Sequence, residues 1–537
     1  MACKQGCGKI LKDFCGWTSA HGLPHIGSAQ NKYLRGFWAL VTFSCLVMFI
    51  YVEFKTIHSY FQYGVSMQTE LKFEERVFPA VTLCHVNPFK QSQLNDTLMA
   101  QLVRNYKQLV QAKPDGKTVE NSKGNANDST PSDWGFERNM TVPQLLATTH
   151  HWASMLAKSL PEAQLMAYSR DDLIMSCAYN TRPCNKSQDN QLIKDANYGN
   201  CYTFNANGKY KSTRAGPLYG LRMLIRTDQN EYLPFVKESG IRVTVHSQEE
   251  PAFPDAFGLS AAPGFSTAFG IKFVKTVRKE APYSDCTKGF PPKYYYRNKE
   301  HYSTEACYRS CLQNAVMDSC SCYDPRYAKP AGDMPSCAQI EPGVTEKQTI
   351  ATMRRNMDCI EEVHKTYNVM DESCDCTQPC EEATYVVTVS AALWPSDVYK
   401  PTDCANSEVS KRYKWKGQSD CVNWYKNNTL LIELYYERMN YQLMTETPDH
   451  SLVSVISDTG GHLGLWLGSS FITCVEFASL CVLLTIFCCS KQPPDDESEA
   501  PSDDEENSEK ENRPDTKETL YDKSERHKDP SPPPILD

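Results

Sequence analysis

Two stretches of the chain have almost no polar positions. Phe37 to Val52 reads FWALVTFSCLVMFIYV without a charge, and flanking residues bring it toward the roughly 20 residues that a bilayer-spanning helix needs. Val453 to Cys489 is longer than one span requires, and its first half carries glycines and serines. The pattern between them is that of a folded, water-facing region. Phe78 to Cys84 (FPAVTLC) is a continuous apolar run, which predicts a buried strand ending in a cysteine. Residues 90–175 show helical period, as in LMAQLVRNYKQLVQ and VPQLLATTHHWASMLAKSL, broken by a polar stretch from Gly116 to Asp133 that predicts a loop. LRMLIRT, GIRVTVHS and FGIKFVKTV predict strands over 200–280. Residues 286–380 are dense in cysteine with helical spacing inside. YVVTVSAALW and LLIELYYERM return to strand pattern and lead into the second apolar stretch. From Lys491 the chain is acidic and rich in Pro and Ser, a composition that predicts disorder. No internal repeat is visible.

One span near each end puts both termini on the same side of a membrane. Lys4, Lys9, Lys12, Lys32 and Arg35 before the first span, and Lys491 after the second, assign that side to the cytoplasm. No apolar stretch before Phe37 reads as a secretory leader, so insertion is expected to use an internal segment. The expected organisation is a cytoplasmic N-terminus over 1–36, a first transmembrane helix over 37–58, an extracellular domain over 59–450, a second transmembrane helix over 451–490 and a cytoplasmic tail over 491–537. Of the 24 cysteines, the 16 from Cys84 to Cys421 fall in the extracellular part, an even number that reads as disulfides in an oxidising compartment. Five Asn-x-Ser/Thr sequons, at Asn95, Asn127, Asn139, Asn185 and Asn427, fall there too.

Composition narrows the class further. With 537 residues the chain is long enough for a multi-part domain with a real core. The net charge of −9 comes largely from the tail between Asp495 and Glu511, and no basic stripe suggests nucleic acid. A mean hydropathy of −0.51 excludes a polytopic transporter. No catalytic constellation is present, and no enzyme, cofactor or resident metal is expected.

The second span carries the candidate chemistry. Between Asp458 and Glu476 lie Gly460, Gly461, Gly464 and Gly468, with Ser469 and Ser470. Glycine allows close backbone approach, and the carbonyl and hydroxyl oxygens so exposed can replace a cation's hydration shell. Ionisable residues within a span are expensive and face water or a partner. The plainer alternative is a GxxxG-like packing face. A pore needs close packing as well, so the two readings overlap.

Several motifs together resemble the epithelial sodium channel/degenerin/acid-sensing channel superfamily over nearly the whole chain. They are His21-Gly22, FPAVTLCHVNPF (Phe78 to Phe89), GNCYTFN (Gly199 to Asn205), CDCTQPCEEATY (Cys374 to Tyr385), WPS (Trp394 to Ser396) and GGHLGLWLGSS (Gly460 to Ser470). The resemblance implies an α+β membrane protein of the plasma membrane, a trimer taken as a homotrimer. Its disulfide-rich ectodomain has palm, knuckle, finger (about 90–190), thumb (about 286–385) and β-ball. It implies a sodium-preferring pore blocked by amiloride-like cations. In its terms Gly468, Ser469 and Ser470 form the selectivity filter, and His21 and Gly22 form a re-entrant loop in the lower pore. Ser457, Asp458 and Gly461 stand at the pore mouth and gate, with Ser457 the position where bulky residues hold the channel open. Glu476 is the inner pore carboxylate. The implied disulfides are Cys84–Cys201, Cys177–Cys184, Cys286–Cys380, Cys307–Cys376, Cys311–Cys374, Cys320–Cys359 and Cys322–Cys337, leaving Cys404 to pair with Cys421. The rival for the close cysteine spacings is zinc. Tyr63 and Tyr283 would couple the thumb to the membrane.

The opening stimulus is read from departures. The acid-sensing His pair is replaced by Phe61-Gln-Tyr-Gly-Val65, and the paired carboxylates before Tyr-Leu-Pro become Asn230-Glu231. Without two close carboxylates there is less reason for a pKa raised near neutrality. His58 and His85 read as structural. The finger lacks Arg-x-x-Arg, and the tail ends PPPIL without a PPxY tyrosine. The expectation is a channel similar to the FMRFamide-gated sodium channels. Trp152, Met155, Phe253 and Phe265 would line the neuropeptide's pocket, and Asp171 and Asp172 would meet its arginine. A proton-gated or constitutively open channel of the same fold, and a non-conducting two-pass receptor or adhesion subunit, are the alternatives.

Overall fold

The computed structural model describes residues 2–95, 97–112, 130–137, 139–296, 301–368 and 374–489. Asn127 and the tail from 491 lie outside them. The chain divides into two compact units, one from Tyr51 to Thr459 and one made of Met1–Ile50 with Gly460–Asp537.

Two sheets build the larger unit. The spine of the first is the long strand Phe265–Val277. One edge of it pairs antiparallel along its full length with Glu381–Leu393. Its other edge runs parallel to Thr429–Tyr436 beside its first half and to Asn440–Pro448 beside its second. Asn440–Pro448 also pairs with Val65–Phe73, and the sheet continues from Thr429–Tyr436 through Leu221–Arg226 and Ile174–Tyr179 to Arg182–Pro183. The second sheet is antiparallel, in the order Leu259–Ala261, Ile241–His246, Ala80–His85, Gly199–Phe204, Asn190–Asp195. Every residue of Ala80–His85 and of Gly199–Phe204 is buried. Both faces of these two strands are covered, so neither alternates buried with exposed positions, and their polar residues are satisfied inside, as where Thr82 and Thr203 meet at 2.7 Å. Thr429–Tyr436 has a core-facing side and alternates along its second half. Phe78, Leu83, Phe204, Met223, Phe269 and Leu434 fill the core these strands share.

A second core is helical. Val142–Ser159 opens on a capping box between Thr141 and Gln144, and Glu346–Thr366 on one between Thr345 and Gln348. Ile350, Met353, Met357, Ile360 and Val363 recur at three- and four-residue steps and form the buried face of the latter helix. They pack with Met99 and Leu102 of Leu98–Ala112 and with Trp134, Trp152 and Leu156.

Disulfides tie these parts together. Cys84 and Cys201 stand opposite each other in the second sheet and are bonded. Cys177 bonds Cys184, and Cys404 bonds Cys421 beneath Trp415 and Tyr425. The segment from Cys286 to Cys380 is closed at its ends by a bridge between those two residues. Inside it, the helix Thr304–Cys320 is bonded through Cys307–Cys376, Cys311–Cys374 and Cys320–Cys359, with Cys322–Cys337 beyond it. The sulfurs of Cys307, Cys311, Cys374 and Cys376 converge within 4.8 Å. Paired as two disulfides, they have no thiolates to offer zinc. Asn95, Asn139, Asn185 and Asn427 are exposed.

The smaller unit is helical. Lys32–Phe61, which begins in it, is a 30-residue apolar helix with no buried residue, about 45 Å long at 1.5 Å per residue. Leu452–His462 leads into a π-helical turn, Leu463–Leu467, and after a break the chain continues as Phe471–Cys489.

Candidate functional site: the break in the second apolar helix

The break is at Gly468, Ser469 and Ser470. The stretches before and after it, Leu452–Leu467 and Phe471–Phe487, are bent by 77°. A π turn, Leu463–Leu467, stands ahead of it, a feature frequent at functional sites. Gly468 takes φ +57°, and a Cβ there would stand 1.8 Å from His21 Nδ1. This position therefore requires glycine twice, for its left-handed backbone and for the ring seated against it. The amide of His21 donates to the Leu467 carbonyl at 3.1 Å. Gly22 has φ +89°, and a Cβ there would stand 2.3 Å from Thr42 Oγ1 on the first apolar helix. The His21-Gly22 turn is thus wedged between the first helix and the break.

Glu476 lies about two helical turns further along the chain. Its Oε2 accepts from Thr18 Oγ1 and from the Ser19 amide, both at 2.9 Å, and from Ser19 Oγ at 3.2 Å. The motif reading singled out Glu476 and the His-Gly pair but missed Thr18, Ser19 and Thr473. The signal was available, because Thr18 and Ser19 are the polar pair directly preceding Ala20-His21-Gly22. Ser457, Asp458 and Gly461 are exposed, and nothing lies within 4 Å of a Cβ built on Gly461. Beside them Thr459 Oγ1 donates to Glu53, a carboxylate on the first apolar helix that the sequence reading passed over.

In the larger unit, Tyr63 and Tyr283 meet edge to face with centroids 5.5 Å apart. Tyr63 takes φ +51°, just after the helix ends at Phe61. Gly64 accepts from the Asp449 amide at 2.9 Å, and Ser59 Oγ lies 3.0 Å from His450 Nε2. The chain leaving the first apolar helix is therefore tied to the chain entering the second apolar stretch.

The proposed peptide contacts are not brought together. Trp152 is 1% exposed and Met155 is fully buried, with Trp152 Nε1 donating to the Trp134 carbonyl at 2.9 Å. Both are packing residues, and the expectation that they line a pocket is corrected. Trp152→Ala is expected to cost about 3–5 kcal/mol of stability, read as a lowered Tm. Asp172 holds Lys90 at 2.6 Å and Arg226 at 3.2 Å, so an incoming arginine finds it already neutralised. Asp171 is exposed, and Phe265 is 38% exposed at the start of its strand. Phe253 lies under Arg309, whose Cζ is 4.4 Å above its ring.

Phe253 also lines a cleft of about 550 Å³ with Glu250, Tyr302, Glu382 and Tyr385. Burial, then the neighbouring carboxylates Glu382 and Glu249, push the Glu250 carboxyl up to about 7. This raised carboxyl lies away from Asn230-Glu231, the one position at which the sequence reading weighed paired carboxylates. The signal was the adjacent pair Glu249-Glu250. Glu382 itself is paired with Arg278 at 2.7 Å. His85 is the opposite case. It is buried between the carbonyls of Asn87 and Thr227, at 2.8 and 2.9 Å, and burial lowers its pKa to about 4. It stays neutral in the physiological range and serves packing.

The sequence profile of a family described as amiloride-sensitive sodium channel matches residues 14–480. Among characterised proteins, the chain is 30% identical to the degenerin-like protein asic-2 of Caenorhabditis elegans, over 91% of this chain and 90% of that one. It is 27% identical to degenerin unc-8 of the same species, over 87% and 78% of the two chains. It is 38% identical to degenerin deg-1 of that species over 62% of this chain and 41% of the relative.

Proposed function

The chain belongs to the amiloride-sensitive sodium channel family, and from that premise we propose that it is a trimeric, two-pass channel opened by a short extracellular peptide of the FMRFamide type. Members of this family are membrane ion channels rather than enzymes. In this reading both termini are cytoplasmic, the region between the two apolar stretches is extracellular, and amiloride-type cations block the pore. Sodium passes the constriction at Gly468, Ser469 and Ser470, with His21 and Gly22 beneath it and Ser457, Asp458 and Gly461 at the mouth. The observation that carries the pore assignment is the glycine break at φ +57° with the His21 ring seated on it. Interrupted helical backbone at membrane depth is tolerated where it is buried in protein or lines a water-filled cavity, and a constriction is such a place.

Peptide gating is supported by the missing His pair and the lost carboxylate at Asn230. The relatives' degenerin names speak to the channel and not to its stimulus. The reading is tested by recording from oocytes during application of FMRFamide and, separately, acid. Amiloride-sensitive sodium current on peptide is the expected result. A large acid current with no peptide response would sink peptide gating, and no current under any condition would favour a non-conducting receptor subunit.

Glu250 favours a second reading, in which protons open the channel or modulate it. Its carboxyl is raised to about 7 in the fold, so the folded state binds that proton more tightly than the unfolded chain does. The resulting stabilisation is full below the ordinary glutamate pKa and is lost as pH rises through about 7. Acidification from pH 8 to 6 is therefore expected to raise the Tm of the purified protein. Glu250→Gln should abolish that rise by being neutral throughout. An unchanged pH profile in the variant would place the titration elsewhere.

A further inference from the structure

The N-terminal segment touches the second apolar helix through more than the histidine. The helix Ala2–Trp17 ends as the Thr18 amide bonds the Phe14 carbonyl at 3.0 Å. Phe14 is buried and lies edge-on to Phe477, with centroids 5.1 Å apart. This apolar contact seats the following turn beside residues 473–476. Thr18 and Thr473 are both buried, whereas Ser19 is exposed along one side.

The hydroxyls there admit an order in which every proton has an acceptor, with Ser470 Oγ also 3.4 Å from Thr473 Oγ1. The Ser470 amide donates to Thr473 Oγ1 at 3.0 Å. Thr473 Oγ1 lies 2.6 Å from Ser19 Oγ, and Ser19 Oγ lies 3.2 Å from Glu476 Oε2. Because Thr473 accepts the amide proton, its own proton is available to Ser19. The Ser19 proton then goes to the carboxylate, which can only accept. Each hydroxyl donates once and accepts once, an arrangement in which successive bonds polarise one another. Thr18 Oγ1 and the Ser19 amide complete the set of three donors on Glu476 Oε2. Ser470 is the residue before the helix Phe471–Cys489, so Thr473 takes the place that Glu or Gln fills in a capping box. The cap is thereby anchored to a carboxylate through a segment more than 450 residues away in sequence.

We infer that Thr18, Ser19 and Glu476 are positioning residues of the filter, acting through Thr473 on the backbone of Ser470. Glu476 in this arrangement is a strut that receives the N-terminal turn. A cation approaching its Oε2 would have to displace three donors whose protons already point at that oxygen. Selectivity at a constriction depends on where oxygens are held, and the Ser470 amide tether sets how its hydroxyl and the preceding carbonyl are presented. The inference rests on the reading of Gly468–Ser470 as the constriction.

The test is the sodium/potassium permeability ratio of full-length channels in oocytes, in a Ser457→Phe background that the family resemblance marks as open, so that the readout does not wait on a ligand. Ser470→Leu is the control for the constriction, and surface biotinylation is measured throughout. Ser19→Ala and Thr473→Val should each lower the ratio by about threefold or more, as expected for a site loosened by a fraction of an ångström. Ser19→Thr, which keeps the hydroxyl, should retain it. Adding Glu476→Gln to Ser19→Ala should lower it no further, because the two act along one path. If Glu476→Gln lowers the ratio while Ser19→Ala and Thr473→Val keep it, Glu476 acts on ions directly and the inference is overturned. If Ser470→Leu alone shifts the ratio, the relay is overturned and the constriction stands. If Ser470→Leu also leaves it unchanged, the constriction reading fails with it. Should Thr473→Val not reach the surface, Ser19→Ala against Ser19→Thr decides the matter, since Ser19 is exposed and its truncation leaves no cavity.

Discussion

Gly468→Ala is expected to abolish the sodium-selective current while the protein still reaches the cell surface. Two costs fall on this one methyl group. The left-handed backbone at φ +57° costs an alanine about 1–2 kcal/mol, which a folded protein can tolerate. The second cost is steric and is not tolerable in place, since the new Cβ would stand 1.8 Å from His21 Nδ1 and 2.2 Å from its Cγ. The ring has to leave, but its backbone is fixed to Leu467 on one side and leads on the other into Gly22, where Thr42 leaves no room. Either the His21 turn unseats or the break straightens, and both destroy the constriction. His21→Ala added to Gly468→Ala should recover part of the current, because it removes the overlap and leaves only the backbone cost. Gly22→Ala should resemble Gly468→Ala, with partial relief from Thr42→Ala. Reversal potential and macroscopic current together with surface biotinylation decide this. A Gly468→Ala channel with the original selectivity would remove Gly468 from the constriction.

Why some of this was readable and some was not follows from the range of the interactions. Phe78 to Cys84 declared itself because a strand covered on both faces runs apolar, and the run ending at Val277 did so through its β-branched and aromatic residues. The helix at Glu346–Thr366 kept its period because one face is buried. Val65–Phe73 left no such mark. Nearly all its residues are exposed, and what makes it a strand is its partner Asn440–Pro448, since β preference depends on neighbours more than on the residue itself. Trp152 and Met155 were misplaced for a related reason. An apolar stripe looks the same in sequence whether it faces a ligand or a core, and only the covering residues Trp134 and Met353 separate the two. Within the candidate site, glycine and serine in a membrane helix were legible as an anomaly. The distant partners were not, because Thr18 lies 458 residues from Glu476, and Glu382 meets Glu250 from a strand more than a hundred residues further along the chain.

Replacing both Cys286 and Cys380 by serine is the second large expected effect, acting on stability and on the transmission of a signal to the membrane. These two residues stand where the cysteine-rich segment leaves the sheet after Phe265–Val277 and returns to it at Glu381–Leu393. The strand Phe265–Val277 passes into Arg278, whose amide bonds the Cys380 carbonyl at 2.7 Å and whose guanidinium reaches the Pro379 carbonyl and Glu382. Thr287 and Cys380 exchange backbone bonds around the bridge, with the Thr287 amide on the Gln378 carbonyl at 2.9 Å and the Cys380 amide on the Thr287 carbonyl at 3.0 Å. The bridge spans 94 residues in sequence, but Cys307–Cys376 short-circuits that loop, so on the chain-entropy account its opening releases roughly 3–4 kcal/mol of unfolded-state freedom. The four bridges inside the segment would keep its helices together, so the loss should fall on the neck. Tyr283 lies three residues before Cys286 and bears on Tyr63 directly above the first apolar helix. A loosened neck should let that ring contact part even in molecules that remain folded. The expected result is a lower Tm and a reduced surface fraction, with surviving channels needing more agonist for the same current. Tyr283→Ala separates the two effects, because it should shift agonist sensitivity in the same direction with Tm and surface fraction near those of the parent. If the double serine variant lowered stability but left agonist sensitivity untouched, and Tyr283→Ala did the same, the neck would be a fastening and the signal would have to cross to the membrane elsewhere.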